Sequence, residues 1–520
     1  MTLDLARRTG PGRTASSPGG LRGLLSARPG LVSRMRLDLL LLAGCTAFGA
    51  LAAVSLKYAI IALGATLLSG WVLAKPQVSA YLLILLTPLI VGVDTGGATA
   101  TLRPNEALIV LFAVLIAVRW LAGLRTGERR WPRLGKVDYS LIALGLTSSV
   151  LPLLMMVARQ RPITYDDLLY CTVIWKLLAE YIIVRSVITT RQQAMRCLWL
   201  SMISGAIVCA VGILQSLNLL GVPALLAKYY APLGVESAVS DGRGSSLLAL
   251  PAATADLAIL NLGIAIAMMV RTTRHRKWLA GFAIVYVLGV VAAAEFSTVI
   301  GLVVALCVII ALTGYKRLLA YAIPVAIVGG ILLWPVIQLR LTGFQSASGL
   351  PVSWETRLTN LRTYFWPQLF SDYNWILGVR PSARVPVPTQ QYGFVWIESG
   401  YTWLLWGGGI PLLGSYIAFV VLAIRKGCAM ARRHRHGPSG IAGIAIAAAL
   451  AAQVLAMLFD PHLTYRGSGD ALFLILALAR TLPARARARR TEIARPAGQA
   501  RQQQLPAAGT AAPDRQEVPA

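Results

Sequence analysis

Residues 343–401 read GFQSASGLPVSWETRLTNLRTYFWPQLFSDYNWILGVRPSARVPVPTQQYGFVWIESGY, the one long polar interruption between apolar runs in this chain. The interruption begins near Gln338 and carries Arg357, Arg362, Arg380 and Arg384 among Trp354, Trp366, Trp375 and Trp396. It ends where Glu398 meets the next apolar run. On either side lie segments of about 17–25 apolar residues, the length an α-helix needs to cross a bilayer. A membrane β-barrel would show short alternating strands instead, and lipid demands that every backbone polar group find an internal partner. The reading is an all-α polytopic integral membrane protein.

Apolar spans fall near 37–56, 58–74, 77–94, 106–123, 138–157, 167–189, 197–218, 250–270, 278–294, 297–313, 318–337, 398–424, 440–459 and 467–482. That makes about fourteen transmembrane helices, with one large extracytoplasmic loop (338–397) between the eleventh and twelfth. The chain then divides into a disordered basic tail (1–36), helices 1–11 (37–337), the loop, helices 12–14 (398–482) and a second disordered tail (483–520). The composition agrees: 56% of residues are hydrophobic and 13% charged, against roughly 25% charged in soluble chains.

The net charge of +28 does not point to nucleic acid. Basic residues concentrate in the tails and in the short linkers 119–136, 191–196, 271–277, 316–317 and 425–435. In a fourteen-span chain these all fall on one side, which makes both termini cytoplasmic, and the tails can touch anionic lipid headgroups. The first span follows too long a polar tail to open a cleaved signal peptide. The six cysteines lie in or beside apolar runs without a CxxC pair, so neither a zinc site nor a disulfide framework is expected.

Several residues invite chemistry. Glu398 opens a helical run, either as a carboxylate favoured by the backbone N–H groups there or as a general base at the water–lipid boundary. Arg243 lies in SDGRGSSLLALP just before the span at 250, and a guanidinium near a membrane suits bidentate contact with phosphate. Arg357 and Arg362, five apart, reach one anion together only if their segment is bent or not helical. Trp366 follows Arg362 at i+4, a stacking distance. Lys176 and Glu180, at i and i+4 within one span, suit an ion pair inside the bundle, with Arg185 reaching an interface. FDPHLTYRGSGD, at 459–470, gathers Asp460, His462, Arg466 and Asp470, a weak metal signal with one histidine and two loop carboxylates. Gly407, Gly408, Gly409 and Gly414 suit close helix packing and do not form a phosphate loop. No nucleotide loop, HExxH, GxSxG or paired-acid motif stands in a suitable place. A catalyst facing outward without ATP needs an activated substrate, such as a sugar on a polyprenyl diphosphate.

The layout resembles the O-antigen ligase and O-antigen polymerase superfamily of bacterial membrane glycosyltransferases over about 80–480. The resemblance lies in AIVCAVGILQSLNLLGV (206–222), RGSSLLALPAATADLAILNL (243–262), Arg362…Trp366…Gly378 and ESGYTWLLWGGGIPLLG (398–414). It implies metal-independent transfer on the outer face of the cytoplasmic membrane, without a cofactor. The donor is an undecaprenyl-diphosphate-linked glycan and the acceptor a glycan or lipid; a flippase and a chain-length regulator are expected partners. Arg243 and Arg362 then look like the diphosphate clamp, with Arg357 a further candidate and Glu398 the base. Trp366, Arg380, Tyr401, His462 and Arg466 are candidate acceptor or glycan contacts. Glu398–Ser399 stands where ligases carry His-Asn, which leans the reading towards a polymerase; Ser297–Thr298 stands where Ser-Arg is usual, so one arginine expected of the clamp is missing. The alternative from another class is a transporter or flippase of lipid-linked oligosaccharide, whose charges would lie at the midplane rather than in an outer loop.

Overall fold

The computed structural model describes residues 55–94, 103–125, 134–230, 242–271, 275–342, 351–388 and 393–482. The expected first span, both tails and parts of the 338–397 segment lie outside these. The chain divides into two units after Gly70. In the first, the described residues open the helix α1 (Leu56–Ala74). The second, from Trp71 on, holds the remaining described elements.

Its helices are α2 (Gln77–Ile90), α3 (Pro104–Arg125), α4 (Lys136–Ala158), α5 (Tyr165–Val187), α6 (Arg191–Ser216), α7 (Val222–Tyr229), α8 (Pro251–Arg271), α9 (Arg276–Ala293) and α10 (Phe296–Thr313). There follow α11 (Leu318–Leu332), α12 (Trp334–Thr342), α13 (Val352–Asn360), α14 (Trp366–Phe370), α15 (Asn374–Leu377), α16 (Gly400–Arg433), α17 (Pro438–Ala456) and α18 (Ser468–Leu476). Among the described residues eight helices are long and apolar enough to cross a membrane: α3, α4, α6, α8, α9, α10, α16 and α17. The chain is thus a helical, multi-pass membrane protein, but the expected fourteen spans are not reproduced. Helices do form at the expected spans from 58 onward. However, α2 and α11 are short, α18 has nine residues, and α5 carries Asp166, Asp167, Lys176, Glu180 and Arg185.

Burial orders the bundle. The apolar windows of α8 and α17 are 83% buried, whereas those of α3 and α10 are 17% and 28% buried. Val110, Val114, Val118 and Leu121 of α3 are each more than half exposed, as suits a lipid-facing stripe, since side chains at i and i+4 share a helix face. The centre is made of small residues. Gly263 of α8 would set a Cβ 3.0 Å from Ala445 of α17, and Gly427 of α16 one 2.7 Å from the carbonyl of Gly443. Helices that close leave no room for a methyl group.

The glycine run of α16 has a specific task. Gly409 adopts φ 64°, ψ −153° and breaks the helix, a conformation few side chains accept. A Cβ on Gly408 would lie 2.3 Å from the Thr147 carbonyl oxygen of α4, and one on Gly409 2.2 Å from that of Ile376. Gly414 faces open space and takes no part. Through this gap the Trp406 carbonyl accepts hydrogen bonds from Val379 N–H at 2.7 Å and Arg380 N–H at 3.3 Å, which seats residues 374–380 on the bundle.

The basic linkers meet at one end of the bundle. There Arg271 donates to the Ala431 carbonyl at 2.9 Å and Arg191 to that of Leu482 at 3.0 Å. A cavity of about 210 Å³ at the same end is lined by Gln77, Arg119, Ser186 and Gln193, without a carboxylate. Asp138, paired with Arg185, belongs to this end; Glu295, Glu398 and Asp460 lie at the opposite one.

Candidate functional site

The 351–399 segment folds as short helices and a hairpin laid over that opposite end. Strand β1 (Arg384–Pro386) pairs antiparallel with β2 (Phe394–Trp396), Val385 opposite Val395. The hairpin is fastened to the start of α5. Arg380 clasps Asp167 with Nε–Oδ1 at 2.9 Å and Nη2–Oδ2 at 2.5 Å, the bidentate form in which a guanidinium binds a carboxylate best. Ser382 N–H donates to the same carboxylate at 3.1 Å, and Arg384 meets Asp166 at 2.5 Å. Beneath, Phe365 sets its edge against Trp406, centroids 5.3 Å apart, a contact that contributes about 0.5–1.5 kcal/mol beyond area burial.

Fastened in this way, the hairpin delivers Glu398 to the head of α16. The cap of that helix is Ser399, whose Oγ accepts Thr402 N–H at 3.3 Å, so Glu398 is free of capping. Its Oε1 lies 3.8 Å from Arg357 Nε, and Arg357 Nη2 lies 3.0 Å from Asp460 Oδ2. One guanidinium therefore bridges two carboxylates. A π-helical turn at Leu361–Phe365 follows α13 and shifts the frame by one residue. Arg357 turns towards the carboxylates, whereas Arg362 is exposed, without an ion pair among the described residues. Trp354 of α13 packs on Phe459, centroids 4.9 Å apart, and holds the two segments together.

Three further groups complete the cluster. The Arg243 guanidinium pairs with Glu295 and bears on Asp460. Its loop is fixed by Gln215, which accepts Ser246 N–H at 2.7 Å. Buried His462 meets Asp256 of α8, Nδ1–Oδ2 2.7 Å. Tyr465, packed on His462 with centroids 4.8 Å apart, is hydrogen-bonded to Asp460. Burial pushes the Glu398 carboxyl above the usual range; Arg357 opposes this, Asp460 adds to it and Asn360 opposes it. Burial likewise raises Asp460, opposed by Arg357 and then by His462, Tyr465 and Arg243. Desolvation outweighs the neighbouring charge in both.

Of the residues singled out in the sequence, Glu398, Arg243, Arg357, Asp460 and His462 come together. The others stand apart. Arg362 faces outward. Trp366 Nε1 lies 3.5 Å from Thr402 Oγ1. Arg380 is occupied by Asp167, Tyr401 O–H donates to the Val454 carbonyl at 2.8 Å, and Arg466 lies 3.7 Å from Glu106. Sequence reading passed over Asp256 and Glu295. A lone acid in the apolar run PAATADLA, and another between two spans in AAAEFS, were the available signals.

Chemically the cluster offers a raised carboxyl held beside a guanidinium, with a second guanidinium near. That arrangement can accept a proton from a hydroxyl and stabilise negative charge on a leaving group. Compared with known proteins, the chain matches no family model and no curated protein.

Proposed function

We propose that this protein is a membrane glycosyltransferase. It polymerises or ligates undecaprenyl-diphosphate-linked oligosaccharide units on the outer face of the cytoplasmic membrane, in surface polysaccharide synthesis of the O-antigen type, with both termini cytoplasmic. The observation that carries this reading is the bridge from Arg357 to Glu398 and Asp460, with the Glu398 carboxyl raised by burial. In the proposed step Glu398 takes the proton of an acceptor hydroxyl. The freed oxygen attacks the anomeric carbon of the donor sugar, the bond from that carbon to the diphosphate oxygen breaks, and the electron pair leaves with the lipid diphosphate. Arg357 and Arg243, and Arg362 at the surface, oppose the charge on the leaving group. The carboxylates now paired with Arg357 and Arg243 exchange places with phosphate oxygens as the donor enters.

One observation favours the alternative, a flippase of lipid-linked oligosaccharide. Lys176 and Asp470 form a buried ion pair inside the bundle, where charge marks a functional position. The two readings separate in proteoliposomes supplied with undecaprenyl-diphosphate oligosaccharide. Longer or transferred glycan with release of lipid diphosphate is expected; movement of intact lipid without bond cleavage would establish the flippase.

A further inference from the structure

At the basic end of the bundle, α2, α3, α5 and α6 enclose the cavity of about 210 Å³ whose polar lining is Gln77, Arg119, Ser186, Thr189 and Gln193. One water needs roughly 10–15 Å³, so the space takes a larger polar group with its waters. The proposed transfer does not use it.

Two donors there are set by local structure. Gln193 closes the capping box of α6, its Oε1 accepting Thr189 N–H at 2.8 Å and Thr190 N–H at 3.1 Å. Backbone N–H groups only donate, so the oxygen faces them and Nε2 is left without a partner among the described residues. Gln77, in the first turn of α2, makes no side-chain hydrogen bond among the described residues. The starts of two helices thus adjoin the cavity, and helix starts favour anions.

Arg119 supplies the charge. It is half-buried; Nη1 donates to the Leu73 carbonyl at 2.5 Å, Nε has no partner, and no carboxylate pairs with it among the described residues. A guanidinium drawn from water and answered only by a neutral carbonyl calls for an anion. Asp138, at this end, is already committed to Arg185 and to the Tyr181 hydroxyl at 2.7 Å. The end of α5, which by itself repels an anion, has its Ile188 carbonyl occupied by Arg480.

We propose that this cavity binds a phosphate group, held by Arg119 and by the amide groups of Gln193 and Gln77. A guanidinium and amide donors lining one cavity match the several acceptor oxygens of phosphate. The inference does not rest on glycosyl transfer. A lipid headgroup can bring the phosphate, its chains lying along exposed Val114, Val118 and Leu121 of α3; so can a soluble phosphate.

Native mass spectrometry of the full chain, purified in detergent and stripped of lipid, separates the two sources, with phosphatidylglycerol and inorganic phosphate as probes. Saturable binding of one molecule is expected: phosphatidylglycerol alone identifies a lipid headgroup, and inorganic phosphate identifies a soluble source. Arg119→Gln and Gln193→Glu should each weaken it about 10–100-fold. Gln193→Glu keeps the acceptor that caps α6, so it serves even if Arg119→Gln does not fold. Arg425→Gln, exposed at the same end and outside the cavity, should leave binding unchanged. Saturable binding of neither probe, unchanged affinity in a folded Arg119→Gln or Gln193→Glu, or an equal loss in Arg425→Gln would overturn the assignment.

Discussion

Glu398 and Asp460 have raised pKa values, so activity and stability respond to pH in opposite senses. The folded chain keeps their protons to higher pH than the unfolded chain, whose values are near 4.5 and 3.8. Their contribution to stability is complete below those values and is lost as pH rises through the folded ones. In the proposed transfer Glu398 can act as base only after losing its proton, so kcat/KM should climb through the same window. The ascending limb should move to still higher pH in Arg357→Met, which removes the cation that opposes burial; an unmoved limb would separate Glu398 from the base. Replacing Glu398 by Gln should lower transfer about 10²–10⁴-fold with the protein still folded. The arginines divide differently. Arg362→Ala should change stability by less than about 0.5 kcal/mol, being exposed, yet weaken donor binding. Arg357→Ala should cost about 1–3 kcal/mol, because Asp460 loses its close cation in a site that is mostly, not wholly, buried. Thermal unfolding of the two variants reads this difference directly. At this scale the sequence was half legible. A carboxylate at a helix start and arginines in a polar segment announce themselves by residue type. Spacing already set Arg357 and Arg362 on different faces of a helix, but that Arg357 is the one that meets Glu398 and Asp460 is a long-range pairing no spacing rule foretells.

The glycine run of α16 is the element that places the site. Gly408→Ala sets a methyl group against the Thr147 carbonyl, and Gly409→Ala adds a strained positive φ to a clash with Ile376. Neither neighbour is a flexible side-chain tip, so each substitution should cost several kcal/mol, about the upper range of core overpacking. The readout is loss of a monodisperse peak in detergent and a lower Tm. Gly414→Ala, inside the same helix and facing open space, should be neutral or stabilising by up to about 1 kcal/mol. Equal behaviour of the three variants would remove the packing account. Close packing was readable from the run of small residues, but its partner was not. A glycine declares that something approaches, while the identity of the approaching chain, here 374–380 and α4, is a long-range fact.

Across the whole molecule the two ends differ in chemistry, with basic linkers at one and the carboxylate–guanidinium cluster at the other. The proposed orientation puts the cluster outside. In a background with the six native cysteines replaced, Gln368→Cys should react with an impermeant maleimide on intact cells. Arg433→Cys should react only after permeabilisation. The reverse pattern would place the cluster in the cytoplasm, where lipid-linked glycan is not presented for outer-face transfer.

By itself the sequence determined that this chain is helical and built for lipid, because segment length and apolarity are local and the bilayer imposes its thickness on each alike. It also marked 338–397 as the exceptional segment and Glu398, Arg243 and Arg357 as reactive types. Tertiary structure alone decided that Lys176 takes Asp470 and not Glu180, that Arg380 anchors the hairpin on Asp167, and that Asp256, Glu295 and Asp460 surround the candidate site. Those pairings join residues up to hundreds of positions apart. Their energies come from desolvation and from geometry between helices, neither of which is written in any one stretch of chain.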